Sequence, residues 1–370
     1  MGAGEGVRVN ETAHLVLEDG TVFTGRAFGA NADAHGEVVF TTSMTGYQEA
    51  LTDPSFAGQI LMMTYPLQGN YGVNDFDVES NRVQARGFVV RETCDLPSHW
   101  RSTGTLHGYL AEAGIPAIQG IDTRALTRKI RFAGVMMGTI TQEEPETAIA
   151  WLREAQRYDG SDFVSEVTTP DGFSWENPER EQYHIAVLDL GVKHNILRIL
   201  RSLGARTTVV PSTTIVEDIL AFKPDGIVLS PGPGDPALLD YAVATAKGLV
   251  GKLPIFGICL GHQVLARAWG AKSYKLKYGH RGANHPVREE ATGRVSITAQ
   301  NHGYAMDPDG LPAELEVSHI HLNDGTCEGL RHRELPIFTI QYHSEASPGP
   351  QDDRYLFERF LGLISEVRTP

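Results

Sequence analysis

From residue 184 onward, short apolar segments alternate with helical patterns, and this alternation limits the fold more than any other feature. Strands are predicted at HIAVLDLG, RTTVV, GIVLS and PIFGI, and a helical pattern follows each one. Strands that are apolar along their whole length bury both faces, which is typical of a parallel sheet with helices on both sides. We therefore predict an α/β fold for residues 184–370, with a doubly wound, mostly parallel sheet that ends in hairpins and a closing helix.

The first part of the chain has a different pattern. Short segments alternate polar and apolar residues, as in HLVLEDGTVFTGRAFG, where Asp19-Gly20 is a hairpin-turn signal. Helical patterns follow at TLHGYLAEAG, DTRALTRKIRFAG and PETAIAWLREAQ. We predict an N-terminal mixed β/α domain, rich in strands, over residues 1–168. A polar stretch with two prolines then predicts a linker over 169–183.

Charge and apolar content exclude several classes of function. The 32 basic and 46 acidic residues leave a formal charge of −14 with no basic run, so we expect no binding to nucleic acid. No apolar run approaches the roughly 20 residues that cross a bilayer, and the MGAGEG start carries neither a signal peptide nor a myristoylation motif. We expect a cytoplasmic protein. Three distant cysteines without a C-x-x-C pair predict neither a metal site nor a disulfide framework.

The segment GICLGH (257–262) lies between an apolar strand and a helix and has the G-x-nucleophile-x-G spacing of a nucleophile elbow. A sharp strand-to-helix turn strains the nucleophile's backbone and requires neighbours without Cβ atoms. It also places the Cys259 thiol at a helix N-terminus, where the dipole favours thiolate, beside the Leu260 N–H as an oxyanion donor. The alternative is a buried structural cysteine, which is our interpretation of Cys94 and Cys327.

A cysteine nucleophile needs a histidine base, and the base needs a partner that fixes its tautomer. His343 follows the apolar strand PIFTI, and Glu345, two residues later, lies on the same side of an extended segment. His343 is therefore the best candidate for the base, and the residues alone leave open the alternative of an ordinary surface or capping histidine. We interpret His194, His280, His285, His319 and His332 as surface or capping residues, and His262 as facing the surroundings of its helix.

GICLGHQ (257–263) with His343 and Glu345 resembles the class I, triad-type glutamine amidotransferases. The resemblance implies a flavodoxin-like sheet and a reaction in which Cys259 attacks the side-chain amide of glutamine, His343 transfers protons and Glu345 orients His343. SPGPGDP (230–236) is similar to the family's oxyanion loop. Tyr342 and Ser344 replace the Gly and Pro that commonly flank the base, which leaves the rigidity of this loop open.

TTSMTGYQEALTDPSFAGQI (41–60), MTYPLQGNYGVN, LDLGVKHNILR, TAQNHGYAM and EASPGP resemble the small subunits of glutamine-hydrolysing carbamoyl-phosphate synthetases. The resemblance implies that ammonia passes to a large subunit, where ATP and a divalent cation act on bicarbonate, and that this chain binds no cofactor. Arginine or pyrimidine synthesis, and a higher oligomer of heterodimers, stay open. The implied glutamine contacts are Ser43, Gly232, Gly234, Leu260, Gln263, Asn301, Gly303 and Tyr304.

Each of these contacts has a structural alternative. Ser43 could cap a turn, residues 301–303 could form a hairpin loop, and Tyr304 could belong to the hairpin core. Two other functions also remain: an amidotransferase subunit of another synthetase or a γ-glutamyl hydrolase on the same sheet, and a regulatory or scaffolding subunit without chemistry. The intact Cys259, His343 and Glu345 set argues against the second.

Overall fold

The computed structural model describes residues 11–368 and divides into two compact units, the first ending at Gly160 and the second beginning at Ser161. The domain bounds 1–168 and 184–370, with a linker between them, stay sequence-based predictions, and the stretch 169–183 contains a short strand of the second unit. The expectation about the N-terminal signal lies outside the described residues. Within 11–368, no helix combines the length and the apolar character that crossing a membrane requires.

The first unit is a barrel with helices around it. Its strands and helices are β1 (Thr12–Leu17), β2 (Val22–Gly29), β3 (Ala34–Thr41), α1 (Tyr47–Thr52), β4 (Gln59–Met63), β5 (Leu67–Gln68), β6 (Gly87–Val89), β7 (Glu92–Thr93), α2 (Leu106–Glu112), β8 (Pro116–Gln119), α3 (Thr123–Ala133), β9 (Met136–Thr141) and α4 (Pro145–Glu154). Seven strands close in the order β1-β2-β8-β6-β4-β3-β9, and β5 pairs with β7.

The predicted hairpin of the first unit is confirmed. β1 and β2 pair in antiparallel fashion across the Asp19-Gly20 turn. Gly20 adopts a φ of +86°, which favours glycine, and the Asp19 carboxylate accepts a hydrogen bond of 3.0 Å from the Thr21 N–H. The mixed β/α character agrees with the prediction. Closure of the sheet into a barrel has no counterpart in the sequence pattern, because alternation fixes which face is buried but not which strands pair.

The second unit contains one large sheet and six helices within residues 161–368. Its elements are α5 (Val164–Val167), β10 (Phe173–Ser174), β11 (Tyr183–Asp189), α6 (His194–Ser202), β12 (Ala205–Pro211), α7 (Val216–Ala221), β13 (Gly226–Leu229), α8 (Asp240–Leu249), β14 (Ile255–Ile258), α9 (Leu260–Ala268), β15 (Ser273–Glu289), β16 (Val295–Met306), β17 (Leu315–His321), β18 (Cys327–His332), β19 (Ile337–Ile340) and α10 (Tyr355–Arg368).

The ten strands follow the order β10-β12-β11-β13-β14-β19-β18-β16-β15-β17. The central five, β12-β11-β13-β14-β19, are mutually parallel, whereas β10 and the hairpin strands run antiparallel to their neighbours. In chain order the parallel strands read 2-1-3-4-5, which is the flavodoxin-like arrangement. The predicted fold class is therefore confirmed. Ligands of such sheets bind beyond the carboxyl ends of the strands, so the residues after β11, β13, β14 and β19 define where a site is expected.

Both faces of the parallel strands are buried, as their mostly apolar sequences predict. Along β11, Ile185 and Val187 pack with residues of α6 and α10 on one face. Ala186 and Leu188 pack with residues of α8 and α9 on the other. Neighbouring side chains of a strand point to opposite faces, so a strand covered on both sides is apolar at most of its positions. This core holds the strand ends that carry the candidate site.

Candidate active site

Cys259 stands at the turn between β14 and α9 in a strained backbone conformation. Its φ of +52° and ψ of −106° are rare for a residue with a side chain. The turn is fixed on its strand side, where the Cys259 N–H donates a hydrogen bond of 2.8 Å to the carbonyl of Ile340 on β19. The side chain is 2% exposed. This is the nucleophile-elbow geometry that the GICLGH spacing predicts.

The two glycines of the elbow are required by close packing. A Cβ on Gly261 would lie 2.2 Å from the carbonyl oxygen of Leu229, and one on Gly257 would lie 2.9 Å from the carbonyl oxygen of Gly261. Real Cβ atoms do not approach backbone atoms this closely, so both positions exclude side chains. The first turn of α9 therefore sits directly against the end of β13.

Several predicted glutamine-binding residues lie around the thiol. Sγ of Cys259 is 3.7 Å from the main-chain oxygen of Asn301 and 3.7 Å from Nε2 of Gln341, which donates to it. Gln263 donates from Nε2 to the Gln341 side-chain oxygen at 3.0 Å and to the Tyr304 carbonyl at 2.9 Å. Gln341 is fully buried. It was not among the residues given a role from the sequence, although it directly precedes the segment of the base.

His343 and Glu345 are held together at the end of β19. Nδ1 of His343 lies 2.6 Å from Oε1 of Glu345, and the His343 N–H donates to the carbonyl of Ala299 at 2.9 Å. Since Nδ1 carries the proton that the carboxylate accepts, Nε2 is left as the ring atom that can exchange a proton with a nucleophile. Nε2 is buried, with no partner of regular hydrogen-bond geometry among residues 11–368.

The Cys259 thiol and the His343 ring interact. Burial by itself lowers the pKa of His343, but the charge of Glu345 and the charge and hydrogen bonding of Cys259 outweigh it and raise the pKa of His343 above its ordinary value. A histidine that stays protonated beside a cysteine favours the imidazolium–thiolate pair, which is the reactive form of a cysteine nucleophile. The structure therefore brings Cys259, His343 and Glu345 into one buried group.

A buried lysine, to which the sequence motifs assign no role, completes this group. Nζ of Lys193 lies 3.2 Å from Oε1 of Glu345 and donates to the Ala346 carbonyl at 2.5 Å. Burial raises the pKa of Glu345, but the positive charges of Lys193 and His343 together lower it below its ordinary value. Asn195 also donates to the Glu345 carbonyl, at 2.5 Å. A lysine just beyond the end of β11, a buried parallel strand, is the signal that would have identified it.

The glycine loop after β13 lies against the start of α9. A Cβ on Gly232 would be 2.0 Å from the Leu190 carbonyl oxygen and 2.8 Å from Cδ2 of Leu260, so only glycine fits there. Gly234 has a φ of +91°. The hydroxyl of Ser230 accepts from the Leu190 N–H and donates to the Pro231 carbonyl, each at 2.9 Å. The backbone of the loop at Gly232 therefore lies next to Leu260, the first residue of α9.

Ser43 belongs to the first unit. It is buried, follows β3, and its hydroxyl accepts a hydrogen bond of 3.2 Å from Thr41 Oγ1. Its contact with glutamine stays a prediction. In the second unit, Gly303 lies on β16 between His302 and Tyr304, next to the strand segment that borders the thiol.

The interpretation of the histidines was correct in part. His262, on α9, forms a hydrogen bond of 2.7 Å between its Nδ1 and Oγ1 of Thr339, so it faces the surroundings of its helix as predicted. His332 accepts hydrogen bonds from the N–H groups of the turn that follows it. The surface interpretation of His280 and His319 is wrong, because both are buried, and His285 is half-buried against His321. All three lie on the antiparallel hairpins or pack against them, and an isolated histidine in a hairpin sequence gives no sign of such packing.

This fold and this grouping of side chains define a class I glutamine amidotransferase, and residues 186–363 match the family model described as glutamine amidotransferase class-I. Residues 15–140 match the model described as carbamoyl-phosphate synthase small chain, CPSase domain. The chain belongs to the carbamoyl-phosphate synthase small chain family.

Relatives from several bacteria match almost the whole chain. A carbamoyl phosphate synthase small chain of Syntrophotalea carbinolica is 52% identical over 96% of this chain and 98% of its own length. One of Symbiobacterium thermophilum is 52% identical over 94% and 97%. A pyrimidine-specific small chain of Bacillus subtilis is 51% identical over 95% of each chain. Both units are therefore covered by proteins of the same family.

Proposed function

We propose that this chain is the glutaminase subunit of a glutamine-hydrolysing carbamoyl-phosphate synthetase and converts L-glutamine to glutamate and ammonia. The observation that carries the proposal is the strained Cys259 beside His343, whose ring is held by Glu345. The first unit supports the particular partner, because its family model belongs to the synthetase small chain and not to amidotransferases in general.

In the first half of the reaction, the Cys259 thiolate attacks the side-chain amide carbon of glutamine. The carbonyl oxygen becomes an oxyanion that the Leu260 N–H and a backbone N–H of the 232–234 loop stabilise. Protonated His343 then gives its Nε2 proton to the amide nitrogen, the C–N bond breaks, and ammonia leaves a γ-glutamyl thioester on Cys259.

In the second half, His343 is neutral and accepts a proton from water. The resulting hydroxide attacks the thioester carbon, a second oxyanion forms in the same backbone site, and the C–S bond breaks. Glutamate leaves, Cys259 returns as thiolate, and His343 is again protonated. Glu345 keeps the proton on Nδ1 throughout, so that each transfer takes place at Nε2.

Ammonia must reach its acceptor without protonation in bulk water, because ammonium is not a nucleophile. We propose that it passes to a large subunit, on which ATP, a divalent cation and bicarbonate give carbamoyl phosphate, and that the glutaminase reaction needs no cofactor bound by this chain. We also propose a heterodimer as the unit of assembly, a cytoplasmic site of action and a role in arginine or pyrimidine synthesis, and the family relationship supports these proposals.

The test is Cys259→Ser in the complex with its large subunit. Glutamine-dependent carbamoyl phosphate synthesis should disappear, while synthesis from added ammonia should continue at the rate of the unaltered complex. Cys94→Ser, which changes a half-buried cysteine of the first unit, is the matched control and should keep both activities. Loss of the ammonia-dependent activity in the Cys259 variant would contradict the assigned role.

The enzyme alternatives make different predictions. An amidotransferase subunit of another synthetase would copurify with a different partner, and a γ-glutamyl hydrolase would need none. A scaffolding subunit would not react with a glutamine-analogue electrophile at Cys259. Mass spectrometry of the labelled chain separates this last case from both kinds of enzyme.

A further inference from the structure

A second cluster of ionisable side chains lies on the antiparallel hairpins of the second unit. His280 on β15, His302 on β16 and Glu328 on β18 are buried, with 7%, 5% and 0% of their surfaces exposed. His280 and His302 face each other as cross-strand partners. One potential ligand atom from each of the three residues lies within 4.8 Å of the other two.

The hydrogen bonds of the two rings place their lone pairs toward one another. His280 donates from Nε2 to Asp324 Oδ2 at 2.8 Å, and His302 donates from Nδ1 to the Tyr304 carbonyl at 2.7 Å. In the neutral rings, Nδ1 of His280 and Nε2 of His302 are therefore acceptors. Metal-binding histidines have this arrangement, in which the distal ring N–H is held by a carboxylate or a backbone carbonyl.

The acceptor atoms of His280, His302 and Glu328 lie close together. Nδ1 of His280 is 3.4 Å from Oε1 of Glu328 and is buried without a hydrogen-bond partner in the part of the chain that the structure describes. Nε2 of His302 is 3.8 Å from the same oxygen. Ligand atoms at about 2.0–2.1 Å from a tetrahedral metal are roughly 3.4 Å apart, so these separations fit one bound cation.

Gln300 adds a fourth acceptor. Its Nε2 donates to Glu328 Oε2 at 2.9 Å, which leaves Oε1 directed at His302 Nε2, 3.0 Å away. Two acceptors at this distance repel each other unless a positive charge lies near both. The amide is buried, so water does not screen that repulsion.

We propose that His280, His302 and Glu328, with the side-chain oxygen of Gln300, bind one divalent transition-metal ion such as Zn²⁺. Two imidazoles and a carboxylate suit this class of metal, whereas Mg²⁺ and Ca²⁺ require oxygen ligands. The site is structural, since it is closed by buried side chains and ties three strands together. This departs from the sequence-based expectation of no metal, which considered cysteine spacing and not residues brought together by strand pairing.

The metal site adjoins the nucleophile through the backbone. Two ligands, Gln300 and His302, flank Asn301, whose carbonyl lies 3.7 Å from the Cys259 sulfur. A metal that fixes both neighbours fixes the position of that carbonyl. It therefore holds the strand beside the thiol without taking part in the glutaminase reaction.

A proton on Nδ1 of His280 is the alternative to a metal ion between His280 and Glu328. Burial lowers the pKa of His280, but Asp324 and Glu328 raise it to about 9, and a second ring proton would then point at Glu328. Metal binding and protonation are distinguished by loading the purified full-length chain. After dialysis against a chelator, Zn²⁺ is added back, and bound metal is measured by elemental analysis and by competition with a chromophoric chelator.

We expect about one tightly bound Zn²⁺ per chain and a higher Tm in the loaded protein, because a ligand that binds only the folded state stabilises it. Glu328→Gln keeps the size of the side chain and should weaken binding about tenfold or more, since it removes the only charged ligand. His332→Gln, on the same strand but outside the cluster, should bind as the unaltered chain does. A chain that takes up no Zn²⁺, or that binds it equally well as Glu328→Gln, would overturn the proposal.

Co²⁺ gives a second measurement that does not depend on the stability of a variant. In the unaltered chain, Co²⁺ held by two imidazoles and two oxygens in a four-coordinate site should give intense visible absorption. A weak spectrum like that of hydrated Co²⁺ would contradict a buried tetrahedral site. Glutamine hydrolysis by Cys259 is expected in either case, so failure of the metal site leaves the proposed function untouched.

Discussion

Nζ of Lys193 lies 3.2 Å from Oε1 of Glu345, and the two side chains are 2% and 0% exposed. A buried charge is costly unless it is paired, and here the ammonium of Lys193 and the ring of His343 share one carboxylate. The positive charge of Lys193 therefore helps to keep Glu345 ionised in this buried setting. An ionised Glu345 in turn holds the proton of His343 on Nδ1. The lysine acts on the reaction through Glu345 and not by contact with the nucleophile.

Lys193→Met should lower the free energy of unfolding by about 3 kcal/mol, because it removes one partner of a buried ion pair and leaves the carboxylate with less compensation. Denaturant titration measures this loss. The matched control is Lys129→Met, which breaks a partly exposed pair with Asp19 and should change stability by less than about 1 kcal/mol. Equal losses in the two variants would mean that the Lys193 pair contributes nothing beyond an ordinary surface pair.

A glycine of the elbow and a glycine of α10 give predictions of opposite sign for substitution by alanine. Gly261→Ala places a Cβ 2.2 Å from the Leu229 carbonyl oxygen, so α9 must shift, and both stability and glutaminase activity should fall sharply. Gly362 lies in α10, is exposed and has open space around its Cβ position. Gly362→Ala should raise the free energy of unfolding by up to about 1 kcal/mol through helix propensity. Thermal unfolding and glutamine hydrolysis of both variants check this pair.

The parallel half of the second unit could be predicted because its signal is local. Each strand from β11 to β14 contains a run of apolar residues and is followed by a helix, and a short parallel connection permits few topologies. The barrel of the first unit could not be predicted, because β8 pairs with both β2 and β6, strands far apart in the sequence. The alternation of polar and apolar residues predicts that each of these segments is a strand, but it does not predict which strands pair.

The residues of the candidate active site also divide into those with a local sequence pattern and those brought together only by the fold. Cys259 is marked by the glycines beside it, and His343 by Glu345 two positions later, so each carries a local pattern. Lys193 has only its position just beyond the end of β11, and Gln341 has no local pattern, since their roles arise when residues after β11 and β19 come together at the same edge of the sheet. His280 and Glu328 also lack a local pattern. They come together through the pairing of hairpin strands, and the sequence does not predict the register of that pairing.

Acid should remove the contribution of Glu345 to stability. Burial raises its pKa, but Lys193 and His343 lower it below the ordinary value of 4.5, so the folded state binds the Glu345 proton more weakly than the unfolded chain. The stabilisation is complete above pH 4.5 and is lost as the pH falls toward the folded-state pKa, by at most about 1.4 kcal/mol per pH unit.

Glu345→Gln isolates this term, since glutamine cannot titrate. The difference in unfolding free energy between the unaltered chain and the variant should shrink as the pH falls below 4.5, whereas its change above about pH 6.5 reports His343, whose raised pKa depends on Glu345. Denaturant titrations at a series of acidic pH values measure the difference. A difference that does not change with pH in the acid range is inconsistent with a lowered pKa for Glu345.

Ser43→Ala separates two interpretations of Ser43. If the hydroxyl contacts glutamine, as the family resemblance implies, its loss should raise KM about tenfold at nearly constant kcat, which corresponds to one hydrogen bond of about 1.4 kcal/mol. If Ser43 only completes a turn with Thr41, KM should stay the same and the unfolding free energy should fall. Thr41→Val removes the hydrogen bond from Thr41 to Ser43 but not the Ser43 hydroxyl, so it shows how much of any change comes from that bond.

The strained backbone at Cys259 predicts an unusual order of stabilities. With φ at +52° and ψ at −106°, any side chain at this position is unfavourable, whereas glycine adopts positive φ at little cost. Cys259→Gly should therefore be more stable than Cys259→Ala by about 1 kcal/mol, although both lack the nucleophile and should be inactive as glutaminases. The two variants lose the same sulfur, so the comparison removes the effect of the missing thiol.

Ala244→Gly, at an exposed position inside α8, provides the opposite case and should lose about 1 kcal/mol. Denaturant unfolding of the three variants gives the two differences directly. If Cys259→Gly were less stable than Cys259→Ala, as glycine is in the helix, then the turn would not be strained in solution. Reactivity at this position would in that case have to come from the charges of His343, Glu345 and Lys193 alone, since the backbone would add nothing to the exposure of the sulfur.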